Sequence, residues 1–192
     1  NLSHLVLLAE TNEGYRNLMK LVSIAHLDGF YYKPRVDMDL LRQYSKGLIA
    51  LSACMSGEIP RLILNDRYET AKERVGLYQE VFGKDSFFLE LQMQHLQGQR
   101  MLNQQLMRLS AEYGAPLVAT NDVHYIHKED AQVHDVLLCI QTGKTVDEPN
   151  RLKFPNAEFY LKSAEEMAEL FMDCPVALGN TVRIAERCQV EL

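Results

Sequence analysis

The chain has 192 residues, 47% hydrophobic and 24% charged, a balance that suits a globular fold with a sizeable core and excludes a disordered or fibrous chain. Its net charge of -6 and pI of about 5.5 exclude nucleic-acid binding by bulk attraction, so a role on DNA needs a local basic patch or a metal ion. Cys54, Cys139, Cys174 and Cys188 are scattered without a C-x-x-C pair, which points to a reducing cytoplasmic compartment, and no apolar run reaches the length of a membrane span.

Asn1 is not an initiator methionine, and the apolar run His4 to Ala9 begins almost at once, so the chain reads as a segment of a longer polypeptide. That run is the first predicted strand. Tyr15, Leu18, Leu21, Val22 and Ala25 then recur at helical spacing, which predicts a helix over 14–27 with Asn12 as its cap. Gly29 and Pro34 break the following stretch, GFYYKPR. A short helix over 37–44, closed by Gly47, leads into a buried strand over 48–52 that ends in the small and polar residues Ala53 to Glu58.

Asp66 and Glu69 resemble a capping box for a helix running to Phe82. Residues 86–91 form the third predicted strand, 97–113 a helix closed by Gly114, and 116–120 the fourth strand. A helix over 128–140, a loop, a short strand near 159–161, a Ser163/Glu166 capping box and a last helix opened by Pro175 complete the pattern. Alternating strands and helices predict an α/β fold with a parallel sheet, since mostly apolar strands such as LIAL and PLVA suit burial on both faces.

In such folds functional groups gather where strands end. PLVATNDVHY places Asp122 and His124 two residues apart after the fourth strand, so extended backbone continuing past Thr120 would turn both side chains to one side. A carboxylate with an imidazole suits zinc, manganese or iron, whereas the plainer reading is a turn-capping Asp and a surface His. Cys54, and Gln92 with His95, also follow strand ends. Glu90 reads either as a partner of metal ligands or as a buried charge paired with arginine. Tyr31, Tyr32, Lys33 and Arg35 join aromatic and cationic groups in one loop, a candidate phosphate or DNA contact as well as a packing surface. His127 and His134 read as surface histidines, and Lys144, Arg151 and Lys153 as a solvated basic loop.

The segments HLVLLAETNEGYRNLMKLVSIAHLDGFYYKPR, GLIALSACMSGEIP, FFLELQ, PLVATNDVHY, VHDVLLCIQTGKTVDEPNR and EFYLKSAEEMAELF, in this order, resemble the PHP (polymerase and histidinol phosphatase) domain of bacterial DNA polymerase III alpha subunits. The resemblance covers essentially all 192 residues. It implies part of a distorted (β/α)7 barrel with mostly parallel strands, and a rim cluster of up to three divalent ions, zinc or manganese foremost. The family's ligands fall on His4, Cys54, Asp122 and His124. His4 stands at the start of its strand, which is awkward for a rim site and makes His26 its substitute. The remaining ligands, including an early His-x-His, are expected upstream of Asn1.

The implied function is part of a DNA-directed DNA polymerase acting in replication in the cytoplasm. Residues 1–192 form one domain segment, from about 150 onward leading toward the polymerase module. The metal site implies a phosphoesterase or a 3′ to 5′ proofreading exonuclease. Two alternatives stand beside it: a scaffold that stabilises the polymerase and docks a separate exonuclease subunit, and a free-standing phosphoesterase like histidinol phosphatase. DNA and other replicase subunits are the expected partners, and no membrane is.

Overall fold

The computed structural model describes residues 2–192. In chain order the elements are β1 (Val6–Ala9), α1 (Asn12–Leu27), α2 (Met38–Tyr44), β2 (Leu48–Leu51), α3 (Glu58–Leu64), α4 (Tyr68–Phe82), β3 (Phe87–Gln92), α5 (Gln99–Tyr113), β4 (Leu117–Thr120), α6 (Ala131–Thr142), α7 (Ala164–Leu170) and α8 (Pro175–Arg187). The four strands make one open sheet in the order β1-β2-β3-β4. β2, β3 and β4 are parallel, as their apolar runs and single-crossover spacing predict.

β1 departs from that expectation and pairs antiparallel to β2, Val6 opposite Leu51 and Ala9 opposite Leu48. The reason lies in the connection. Two helices, α1 and α2, separate these strands, one outward and one returning, so β2 starts beside the point where β1 ended. The Glu10 amide donates to the Gly47 carbonyl at 2.9 Å and closes that joint. Here α1 lies directly on the turn before β2. A Cβ on Gly14 would stand 1.7 Å from the Gly47 carbonyl oxygen, and Gly47 itself has φ +72. Only glycine at both positions permits this approach.

The strands bury both faces. Leu48, Ala50, Phe87, Leu89, Leu91, Leu117 and Ala119 point into the larger core with Leu21, Ile59, Val75, Leu102 and Leu106 from the helices. Ile49, Leu51, Phe88 and Val118 point the other way, against Ile184 of α8. Period-two alternation sorts one apolar run into two cores. Asn180 of α8 is buried and its amide donates to the Leu117 carbonyl at 2.7 Å, giving the outer strand a partner on its open side.

Several local expectations shift by a residue or fail. Thr11, not Asn12, caps α1 by accepting from the Gly14 amide at 3.1 Å. Asn12 instead accepts from the Glu191 amide. The Asp66/Glu69 box does not form, because Asp66 has φ 55 in the turn that ends α3, and α4 starts at Tyr68 without a side-chain cap. α3 itself was not expected; it is seven residues long, with Pro60 in its first turn where a missing N–H costs nothing. The Ser163/Glu166 box is complete in both arms. At 159–161 there is a bridge between Tyr125 and Tyr160 in place of a strand.

Gly14→Ala is expected to lower the unfolding free energy by roughly 2 kcal/mol or more, because backbone meets backbone and nothing flexible can yield. Gly179→Ala, in open space on the exposed side of α8, should instead add roughly 0.5–1 kcal/mol. Urea unfolding of the two variants checks the pair.

Candidate metal centre

Because β1 runs against its neighbours, its first residues reach the edge where the parallel strands end. His4 lies just before β1, where its amide donates to the Ser56 carbonyl at 3.1 Å. Cys54 follows β2 in a tight turn: Ala53 has φ 63, and a Cβ on Gly57 would stand 2.0 Å from the Ser52 carbonyl. This turn presents the thiol sulfur 3.6 Å from His4 Nδ1. His4 thus lies at the rim beside Cys54 although it stands at the start of its strand. The His26 ring hydrogen-bonds the Val22 carbonyl on the exposed side of α1.

His4, Cys54 and Asp122 line one open cavity of about 600 Å³ at this rim, with Glu90, Gln92 and Thr120 on its wall. Asp122 has φ 48, so the extended backbone of β4 does not continue through it. The two-residue alternation breaks there, and His124 does not line that cavity. Its ring packs among Phe154 (centroids 4.8 Å apart), His134 (5.7 Å) and Phe159 (5.8 Å). His124 Nδ1 lies 2.7 Å from the Asp122 carbonyl, which can only accept, so Nδ1 carries the proton and Nε2 is the free ring nitrogen. Among the described residues no three His, Cys, Asp or Glu side chains are gathered closely enough to hold one ion.

Glu90 is buried, and no arginine reaches it. One carboxylate oxygen accepts from Gln92 Nε2 at 3.0 Å and from the Thr120 hydroxyl. The other, Oε2, is buried with no hydrogen-bond partner among the described residues. Burial pushes the Glu90 carboxyl above the ordinary carboxylate range, the Thr120 and Gln92 hydrogen bonds pull it back, and the charge of Asp122 adds to the upward shift. Glu90 thus stands beside a cavity that also holds imidazole and thiol donors.

Sequence reasoning missed the amides beneath this rim. Asn103 donates to the Gln92 carbonyl at 2.8 Å, Gln94 and Gln99 bond each other, and Asn156 donates to the Gln94 carbonyl at 2.7 Å. Asn121 holds the opposite loop through the Tyr160 and Glu158 carbonyls. Polar residues at core-facing positions of α5 and directly after β3 and β4 were the available signal. Lys33 and Arg35 lie in the loop after α1 and do not line the cavity; Arg35 rests over the Tyr31 ring at 4.9 Å. His95 lines a separate groove beside Met93 and Met107.

The profile of the PHP domain matches residues 1–94. Over 185 residues the chain is 54% identical to DNA polymerase III subunit alpha of Borreliella burgdorferi, covering 96% of this chain and 16% of that protein. The same-named proteins of Treponema pallidum and Thermus aquaticus are 49% and 47% identical over 98% of this chain and 16% of theirs. Residues 1–94 of the chain thus match the PHP domain. The chain spans about 16% of the length of these relatives. Its open sheet, with three parallel strands, fits part of a (β/α) barrel.

A further contact holds the His124 side of the rim in place. Arg151 forks onto both Asp135 carboxylate oxygens, at 2.6 and 2.7 Å, with its side chain only 5% exposed. This ties the loop after α6 back to that helix and keeps Phe154 between His124 and His134. The two Arg151 hydrogen bonds hold the Asp135 carboxyl below its ordinary 3.8. With the folded pKa depressed, the stability of this pair is present above pH 3.8 and is lost as pH falls through the lower folded value. Asp135→Asn is therefore expected to flatten the acid limb of the stability curve below that pH. An acid limb as steep as in the parent, followed by tryptophan-free near-UV circular dichroism, contradicts this assignment.

Proposed function

We propose that this PHP domain is the metal-binding phosphoesterase part of a DNA polymerase III alpha subunit, a cytoplasmic DNA-directed DNA polymerase, acting as a 3′ to 5′ proofreading exonuclease. One observation carries the reading: His4 Nδ1 and Cys54 Sγ are 3.6 Å apart at a cavity shared with Asp122 and Glu90. Zinc bonded to sulfur at about 2.3 Å and to nitrogen at about 2.0 Å sets the two donors about 3.5 Å apart at the tetrahedral angle. The donor set of imidazole, thiolate and carboxylate fits zinc, with manganese favoured where oxygen ligands dominate.

His4 and Cys54 would share an ion on the cavity side, Asp122 stands on the wall of the same cavity, and His124 would offer Nε2 on the other side. A metal-ligating histidine ordinarily donates its second ring N–H to a carbonyl or carboxylate, the arrangement of His124 with the Asp122 carbonyl. Bound metal supplies a hydroxide near neutral pH and neutralises charge on a phosphodiester. Thr120 and Gln92 hold Glu90 in one orientation at the wall. Further ligands, for up to three ions, come in this proposal from residues outside the segment. Lys33, exposed, and Arg35, stacked on Tyr31, give an approaching DNA strand a cationic and aromatic edge.

A second reading keeps the fold without the chemistry: a scaffold that stabilises the polymerase and docks a separate exonuclease subunit. Its support is that no three ligating side chains are gathered among the described residues. The relatives' common name, DNA polymerase III subunit alpha, favours either reading over a free-standing phosphatase.

In the full-length polypeptide, Cys54→Ala is expected to lower bound zinc or manganese, measured by elemental analysis after gel filtration, by at least about tenfold in affinity. His124→Ala should abolish metal-dependent exonuclease activity while sparing synthesis. A native protein free of metal, with melting unaltered by chelator, selects the scaffold instead.

A further inference from the structure

Away from the rim, three guanidinium groups meet at one cavity of about 690 Å³ between α3 and the start of α4. Its polar lining is Ser3, Glu58, Arg61, Asn65, Arg67 and Arg74, with Leu62 as the apolar member. Glu58 is already engaged: Arg74 Nε lies 2.8 Å from one of its oxygens and the Tyr78 hydroxyl donates to the other at 2.8 Å. Arg61 uses one terminal nitrogen on the Leu2 carbonyl at 2.6 Å, which fixes its plane and leaves its other donors open. Arg67 is exposed and makes no side-chain hydrogen bond or ion pair among the described residues.

The lining therefore carries two positive charges in excess within a chain of net charge -6. Asp66, Glu69 and Glu73 are neighbours in sequence but do not line the cavity. An independent feature has the same sign. The fifteen-residue helix α4 begins beside Arg67 and has no side-chain cap, so its first-turn N–H groups add partial positive charge there. A lining of arginine forks and an asparagine amide, with almost no apolar surface, suits a multivalent oxyanion better than a peptide or a lipid chain.

We propose that this cavity is a phosphoryl-binding site, separate from the metal rim, in which Arg61, Arg67 and Arg74 grip the oxygens of a phosphate group carried either by free pyrophosphate or by a nucleic-acid strand. Arg67 is the mobile donor, because Arg61 and Arg74 are held by Leu2 and Glu58.

The test is arginine footprinting with phenylglyoxal on the full-length polypeptide, read by mass spectrometry, with inorganic pyrophosphate or a short oligothymidylate as the probe. Either probe should slow modification of Arg61, Arg67 and Arg74 relative to Arg16, an exposed arginine of α1 outside the cavity. In Arg67→Gln, the concentration that half-protects Arg61 and Arg74 should rise about tenfold. Protection by both probes identifies a site for free phosphoryl groups, and protection by the oligonucleotide alone identifies a strand-backbone site. Unchanged modification with both probes, or protection that survives Arg67→Gln undiminished, overturns the proposal. Arg67 is exposed and makes no side-chain hydrogen bond or ion pair among the described residues, so a thermal melt of that variant should match the parent.

Discussion

The site depends on one pairing, the antiparallel ladder between β1 and β2. Were β1 parallel, His4 would lie at the opposite end of the sheet from Cys54, Glu90 and Asp122, which follow or terminate the parallel strands. The reversal follows from the connection, two helices out and back, and that connection is possible because Gly14 can touch the turn at Gly47. Steric freedom at a glycine pair thus decides whether an imidazole and a thiol lie 3.6 Å apart.

The rim then uses strain and buried amides to fix its side chains. Ala53 and Asp122 both take positive φ immediately after strands, a conformation disfavoured for residues with a Cβ and found where the surroundings over-determine it. Those surroundings are visible: Gly57 closing the Cys54 turn, Asn121 spanning to the Tyr160 loop, and Asn103 beneath Gln92. Fully satisfied amide networks rigidify, and beside them Glu90 keeps one oxygen with no hydrogen-bond partner among the described residues.

The molecule has a second polar centre of opposite sign. The rim gathers carboxylates and soft donors, while the α3–α4 cavity gathers guanidinium groups. The pocket keeps its positive sign because Glu58, paired to Arg74 and Tyr78, offsets only one of its three guanidinium charges.

Much of the fold was legible in the sequence. The four strands, the boundaries of α1, α5 and α8, and the Ser163 capping box follow from apolar period, glycine closures and cap chemistry, all of them local. The pairing of Asp122 with His124 also looked local, yet it rested on extended backbone, and a left-handed Asp122 sends His124 into an aromatic cluster with Phe154. The Asp66 box failed for a related reason, since the turn closing α3 claimed that residue first. By itself, then, the sequence determined which segments are strands and helices, and which residue types stand at their ends. Only the tertiary structure decided the direction of β1, the meeting of His4 with Cys54, and the convergence of Arg61, Arg67 and Arg74. Direction and convergence depend on contacts between residues far apart in the chain, and no local pattern encodes them.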